Sequence, residues 1–307
     1  MSTSPGLASA GSRRNLIIGC AFALLTVTMW GAWIVGTRYA VRGNLLPHDI
    51  ALMRFAVPAL VLAPFWLKTG LKPTHVAWPL IAFIVAGAGL PFYLAIATGL
   101  QIAPAAHAGM LLPGTMPLFV ALIALALMGE TFGWRRGTGY GLIALGGAGI
   151  WAYTVLTGAQ EGAWRGQILF VTGAFLWAVY THAFRRSGLK AHEAVGIMSV
   201  WSLILIVPIC FAVGRTGLFT ASWAEIGSQL FLQGVISGLV ALTTYGIAVD
   251  RLGASSAAAF AALVPVLVTL LGIPVLGEVP DLATMISAAC VCAGVFLASG
   301  ILSPSVK

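Results

Sequence analysis

Apolar residues run along this chain in blocks of about twenty, separated by short polar connectors that carry most of the charge. A block of that length matches a bilayer, because roughly 20 residues at about 1.5 Å rise span its ~30 Å hydrocarbon core. The pattern predicts ten helices: Leu16–Val35, His48–Leu67, His75–Thr98, Pro104–Leu127, Gly137–Leu156, Gly166–Phe184, His192–Val213, Ile226–Val249, Ala254–Leu276 and Leu282–Leu302. Backbone amides in lipid must bond internally, and no ten-residue alternation of a barrel is visible, so the expected class is an all-α integral membrane fold. Residues 1–14 are small, polar and finally basic, and read as a disordered tail. The first span is too long for a signal-peptide core, contains Trp30 and Trp33, and lacks a small-residue cleavage site.

The pattern repeats. Pro117 is followed thirteen residues later by Glu130, and Pro265 thirteen later by Glu278, a separation of 148 residues between copies. Trp30 and Trp177 lie 147 apart, and the His48-Asp49 and His192-Glu193 pairs 144 apart. Three matches at nearly one spacing predict two related units, 15–158 and 162–302, joined by the Gly-rich connector TGAQEGAWRG. Each unit holds five spans, an odd number, so the second enters the membrane from the opposite side. Inverted repeats of this kind place a substrate site in a central cavity near the midplane and allow the halves to rock.

Composition sharpens the picture. Hydrophobic residues make up 60% of the 307 and charged residues only 8%, against about 25% charged in a soluble domain. The net charge of +8 is scattered through connectors and forms no nucleic-acid patch. Counted on alternate sides, Lys and Arg fall 11 against 5 in favour of both termini in the cytoplasm. The four cysteines lie inside apolar stretches and read as packing thiols, with no metal or cofactor role. Neither HExxH, GxSxG nor a pair of intramembrane aspartates is present, which argues against an intramembrane enzyme.

Several polar and aromatic residues fall on faces suited to a cavity. Thr26, Trp30, Trp33 and Thr37 share one side of the first helix. Trp177, with Tyr180 one turn later, is the repeat mate of that stripe. Tyr93 shares a face with Gly89, with Pro91 between them to bend the helix; Thr244 and Tyr245 occupy the eighth span and His107 the fourth. Pro117 and Pro265 read as fixed kinks, and Glu130 and Glu278 as carboxylates that bond the exposed amides of a helix start. Arg54 is the deepest cation, expected to snorkel or to pair with Asp49 or a loop carbonyl. No carboxylate lies mid-span, which favours a neutral or zwitterionic substrate and gradient-driven movement over a carboxylate proton relay.

The MRFAVPALVLAP run in the second span, the two Pro-to-Glu segments and the five-plus-five layout resemble the drug/metabolite transporter superfamily, in particular its ten-helix EamA-type bacterial exporters. Length and the Trp- and Tyr-bearing helices make the chain similar to aromatic amino-acid exporters of the bacterial inner membrane. The resemblance implies an alternating-access exporter of amino acids or other small molecules, with a multidrug or nucleotide-sugar carrier as the alternative. It further implies a cavity lined by helices 1, 3, 4, 6, 8 and 9, helices 5 and 10 at the periphery, and lipid as the main partner of a chain that can work as a monomer.

Overall fold

The structure, a computed structural model, describes residues 5–158 and 160–300. Among these residues every regular element is helical: α1 (Pro5–Arg42), α2 in two arms (Pro47–Val61 and Ala63–Thr69), α3 (Trp78–Ile102), α4 (Ala105–Met128), α5 (Trp134–Thr157), α6 (Ala163–Ser187), α7 (Ala191–Val213), α8 (Trp223–Leu252), α9 (Ser256–Leu276) and α10 (Leu282–Ala298). Eight of them, α1 and α3 to α9, are long and apolar enough to cross a bilayer, and α2 makes a ninth if its arms form one span. Helix α10 has 17 residues, about 25 Å of rise, and stops short of full thickness. Part of the tail expected to be disordered, residues 1–4, lies outside the described residues, as do Ile301 and Leu302 of the last predicted span. From Pro5 the backbone is already helical, as a proline at a helix's first turn followed by small residues permits.

Local chemistry explains where the helices bend. Pro64 lacks the N–H that would bond the Leu60 carbonyl, and α2 turns by 73° at Leu62. Pro91 likewise leaves a carbonyl in α3 unpaired, and the helix breaks at Gly89 (φ −91°, ψ −141°). The Leu90 amide freed there donates to Ser202 Oγ of α7 at 3.1 Å. In α8 the stretch Leu230–Val240 is wound with the wider π-helical turn, a feature that clusters at functional sites.

The repeat is visible in the two Pro-to-Glu segments. Each ends on a glycine in the left-handed region, Gly129 at φ 65° and Gly277 at φ 67°, a backbone conformation that a residue with a Cβ adopts only at a cost. The following amide then folds back: Glu130 N donates to Ala124 O at 3.3 Å, and Glu278 N to Gly272 O at 3.4 Å.

Helix packing exchanges under the same correspondence. Helix α1 packs on α8 and α9, while α6 packs on α3 and α4; α2 meets α8 as α7 meets α3. The pairs α2 with α7, α4 with α9 and α5 with α10 map onto themselves. Helices α5 and α10 touch backbone to backbone: a Cβ on Gly139 would lie 2.6 Å from Ala298 N, and one on Gly294 only 2.7 Å from Gly139 O. Small residues are what such contact requires, since lipid is as apolar as leucine and helices associate by close packing.

Candidate functional site

A cavity of about 120 Å³ opens between the helices and draws its lining from α1, α2, α3, α4, α6, α7, α8 and α9. Helices α5 and α10 contribute nothing to it. The expected list of lining helices therefore needs correction, because α2 enters through Arg54 and Pro58, and α7 through Val195, Met198 and Ser199. Both helices lie on the molecule's internal symmetry contact, which sequence periodicity does not display.

One wall is aromatic. Trp33 stacks on Phe92 with ring centroids 6.4 Å apart, Phe92 lies 5.4 Å from Trp177, and Trp177 lies 5.1 Å from Tyr180. Trp30 faces the same space and leans on Tyr245 at 5.4 Å. Trp30, Trp33, Trp177 and Tyr180, picked out by spacing on two helices 147 residues apart, thus converge on one cavity. Phe92 was not singled out in the sequence, where it is one phenylalanine in a run of apolar residues.

The polar end of the cavity belongs to Arg54. Its guanidinium carbon sits 5.2 Å from the Trp33 ring centroid and 5.4 Å from that of Tyr93, and Nη1 donates to Ser237 Oγ at 2.7 Å. The expected pairing with Asp49 does not occur. Asp49 accepts from its own helix start at Leu46 N (2.9 Å), from Thr216 Oγ1 (2.6 Å) and from Gly217 N (2.8 Å). Five residues separate it from Arg54, about 140° around the helix at ~100° per residue, so the two point apart. Among the described residues Arg54 has no carboxylate partner. Three buried polar atoms without a hydrogen bond belong to residues that line this cavity: Arg54 Nε, Trp33 Nε1 and Ser199 Oγ.

The remaining residues singled out in the sequence stand behind the wall. Tyr93 donates its hydroxyl to Gln233 Oε1 at 3.1 Å; Gln233 donates to Thr37 Oγ1 and Gln229 Oε1, each at 3.0 Å, and Gln229 to Gly36 O at 3.3 Å. This ladder braces α1, α3 and the π-wound part of α8, and its two glutamines had no spacing signal of their own. Thr244 meets Thr26 at 2.8 Å, holding α8 to α1. His107 lies outside the cavity: its ring joins Gln167 at 3.1 Å and Thr284 Oγ1 at 3.3 Å, and Gln167 continues to Thr154 Oγ1 at 2.9 Å. A helix in a bundle meets protein on several sides, so a polar residue on it serves packing as readily as a ligand. Pro117 continues inside α4, while Pro265 follows a tight 3-10 turn at Phe260–Leu263.

The two glutamates differ sharply. Glu278 receives Arg38 Nε at 2.7 Å on Oε1 and the first amide of α4, Ala105 N, at 2.8 Å on Oε2, with Arg42 Nη1 at 3.5 Å. Arg38 also donates to Leu100 O at the end of α3. One carboxylate thereby ties together the ends of α1, α3, α4 and α9. The repeat mate of Arg38, 147 residues on, is Arg185, and that of Glu278 is Glu130. Both are exposed, and among the described residues neither side chain forms a hydrogen bond or ion pair. The cavity lining itself is shared between the two ends: Tyr180 and Met198 stand as far from one end as their repeat mates Trp33 and Arg54 stand from the other.

Comparison with known proteins agrees with this architecture. The model of the EamA-like transporter family matches twice, over residues 17–152 and 164–300. An "Uncharacterized transporter" of Archaeoglobus fulgidus is 26% identical over 277 residues, covering 89% of this chain and 94% of the relative. A "Probable terminal-alkyne amino-acid exporter" of Streptantibioticus cattleyicolor is 26% identical over 281 residues, covering 89% and 91%. One solved crystal structure, 21% identical, superimposes with a TM-score of 0.58 over 93% of this chain and 97% of its own, and so shares the fold. With both halves matched by one family model over nearly their whole length, this multi-pass, all-helical chain belongs to the EamA-like transporter family, within the drug/metabolite transporter superfamily.

Proposed function

We propose that this transporter exports small amino-acid-like metabolites, aromatic ones included, by alternating access across the bacterial inner membrane. The observation that carries the reading is the asymmetry of two equivalent ends. At one, Glu278 clamps α1, α3, α4 and α9; at the other, the equivalent pair Glu130 and Arg185 stands exposed and unpaired. A rocking carrier must break one such clamp and make the other, and two related halves supply the two clamps. The repeats 15–158 and 162–302 are the moving halves, with α10 counted as the tenth span. Termini in the cytoplasm, favoured by the Lys and Arg distribution, make the clamped end the outer one and this conformation inward-facing. The aromatic wall suits an aromatic or aliphatic side chain, and the amino-acid exporter among the relatives supports that class. The absence of a carboxylate from the cavity lining favours movement down the substrate's own gradient.

Counterflow of labelled phenylalanine in proteoliposomes, with no pH gradient, tests the proposal. Exchange is expected in wild type and a fall of roughly tenfold or more in Trp177→Ala, because an aromatic contact contributes about 0.5–1.5 kcal/mol beyond its buried area. Strict dependence on an imposed proton gradient would contradict the gradient-driven reading, and intact exchange in the stable variant would contradict the cavity.

A further inference from the structure

We propose that Arg54 is a receptor for a carboxylate, so that the cavity selects monoanionic organic acids by their acid group and does not need their amino group. The inference rests on the reading of this cavity as the transport site. A cation inside a membrane bundle ordinarily finds a counter-charge, yet among the described residues Arg54 has none. Its charge is held by the Trp33 and Tyr93 ring faces and one hydroxyl, Ser237 Oγ, partners that leave its other donors free. Arg54 Nε is buried and unbonded, and Trp33 Nε1 and Ser199 Oγ, in the same lining, are equally unbonded.

What these atoms lack is acceptors. An ionised carboxylate offers acceptors only, in the planar pair that matches a guanidinium fork. A single guanidinium balances a single negative charge, so a monocarboxylate fits where a phosphate dianion leaves charge uncompensated. The opposite end of an amino acid finds no equivalent. No Asp or Glu lines the cavity, and an ammonium would meet only ring faces and the neutral hydroxyls of Ser199 and Ser237. The aromatic rungs Phe92, Trp177 and Tyr180 receive the apolar body. Ser237 Oγ occupies one arm of the fork, and substrate must displace or share that bond, which favours ready release.

Binding to the purified full-length protein tests this directly, read from tryptophan fluorescence, since Trp30, Trp33 and Trp177 line the site. The ligands are phenylalanine, 3-phenylpropionate (no amine), phenethylamine (no acid), phenylalaninamide and phenyl phosphate. Phenylalanine and 3-phenylpropionate are expected to bind within about threefold of each other, and the two acid-free compounds roughly tenfold to a hundredfold more weakly, the range of one charged hydrogen-bonded contact. Arg54→Gln is expected to erase that difference and Arg54→Lys to retain part of it; should Arg54→Gln fail to fold, the wild-type series and the lysine variant decide. Equal binding of amine and acid, tighter binding of phenyl phosphate, no binding of the acids, or an unchanged acid preference in Arg54→Gln would overturn the proposal. Acid binding that depends on Arg54 without counterflow of any ligand would leave the carboxylate receptor standing and remove the transport reading.

Discussion

At the scale of single residues, burial and bonding separate the cavity wall from what supports it. His107 is a test of that separation. It is buried at 2% exposure and bonded to Gln167 and Thr284 on α6 and α10, away from the lining. His107→Ala leaves those partners unsatisfied and is expected to lower stability by about 1–3 kcal/mol. Thermal unfolding should show the loss while the KM for counterflow stays within about twofold, as for any residue that does not touch substrate; a large rise in KM with unchanged stability would return His107 to the site. Arg54 illustrates the opposite error. Its depth was legible from the sequence, and the five-residue spacing already turns it away from Asp49; its actual partners were not legible, because they come from packing against α1, α3 and α8. Trp30, Trp33, Trp177 and Tyr180 were legible because two stripes at equivalent places in a repeat point to the centre that relates them.

At the scale of elements, two contacts carry separate consequences. The contact of α5 with α10 depends on the absence of side chains at Gly139 and Gly294. Gly294→Leu inserts atoms where the Gly139 carbonyl now lies, and overpacking of this kind costs about 1–3 kcal/mol or more. The variant is expected to unfold at lower temperature, with substrate affinity of the folded fraction unchanged, since neither helix reaches the cavity; weaker affinity without loss of stability would speak against a peripheral role. Glu278 acts on the conformational balance. Glu278→Gln keeps the shape and removes the charge that Arg38 and Ala105 N share, a loss of about 1.5–3 kcal/mol for bonds to a charged group and therefore a shift of roughly tenfold or more toward the opposite state. In a cysteine-free background, accessibility of a cysteine placed at Ala105, buried beside Glu278, to a membrane-impermeant maleimide reads that shift, and an unchanged labelling rate would contradict it. The helix breaks were only partly legible: Pro91 marked the bend of α3, whereas the turn of α2 before Pro64 was not anticipated and the π-wound stretch of α8, beside Gln229 and Gln233, leaves no trace in spacing.

At the scale of the whole molecule, the internal repeat was the most legible feature, because two Pro-to-Glu segments 148 residues apart fold into the same glycine-capped ends. What spacing could not reveal is that equivalent ends are used unequally, one clamped through Glu278 and the other, at Glu130, without a clamp. That inequality is the basis of the central claim, that the two ends open in turn. It is most directly tested by spin-label distance measurements on two pairs in a cysteine-free background, one joining α3 to the loop after α9 at the clamped end (positions 102 and 279), the other joining α4 to α6 at the unclamped end (positions 127 and 186). On adding substrate, or on introducing Glu278→Gln, a second population is expected in which the first distance lengthens while the second shortens. Distances that stay fixed under both conditions, or that lengthen together, would contradict alternating access in this protein.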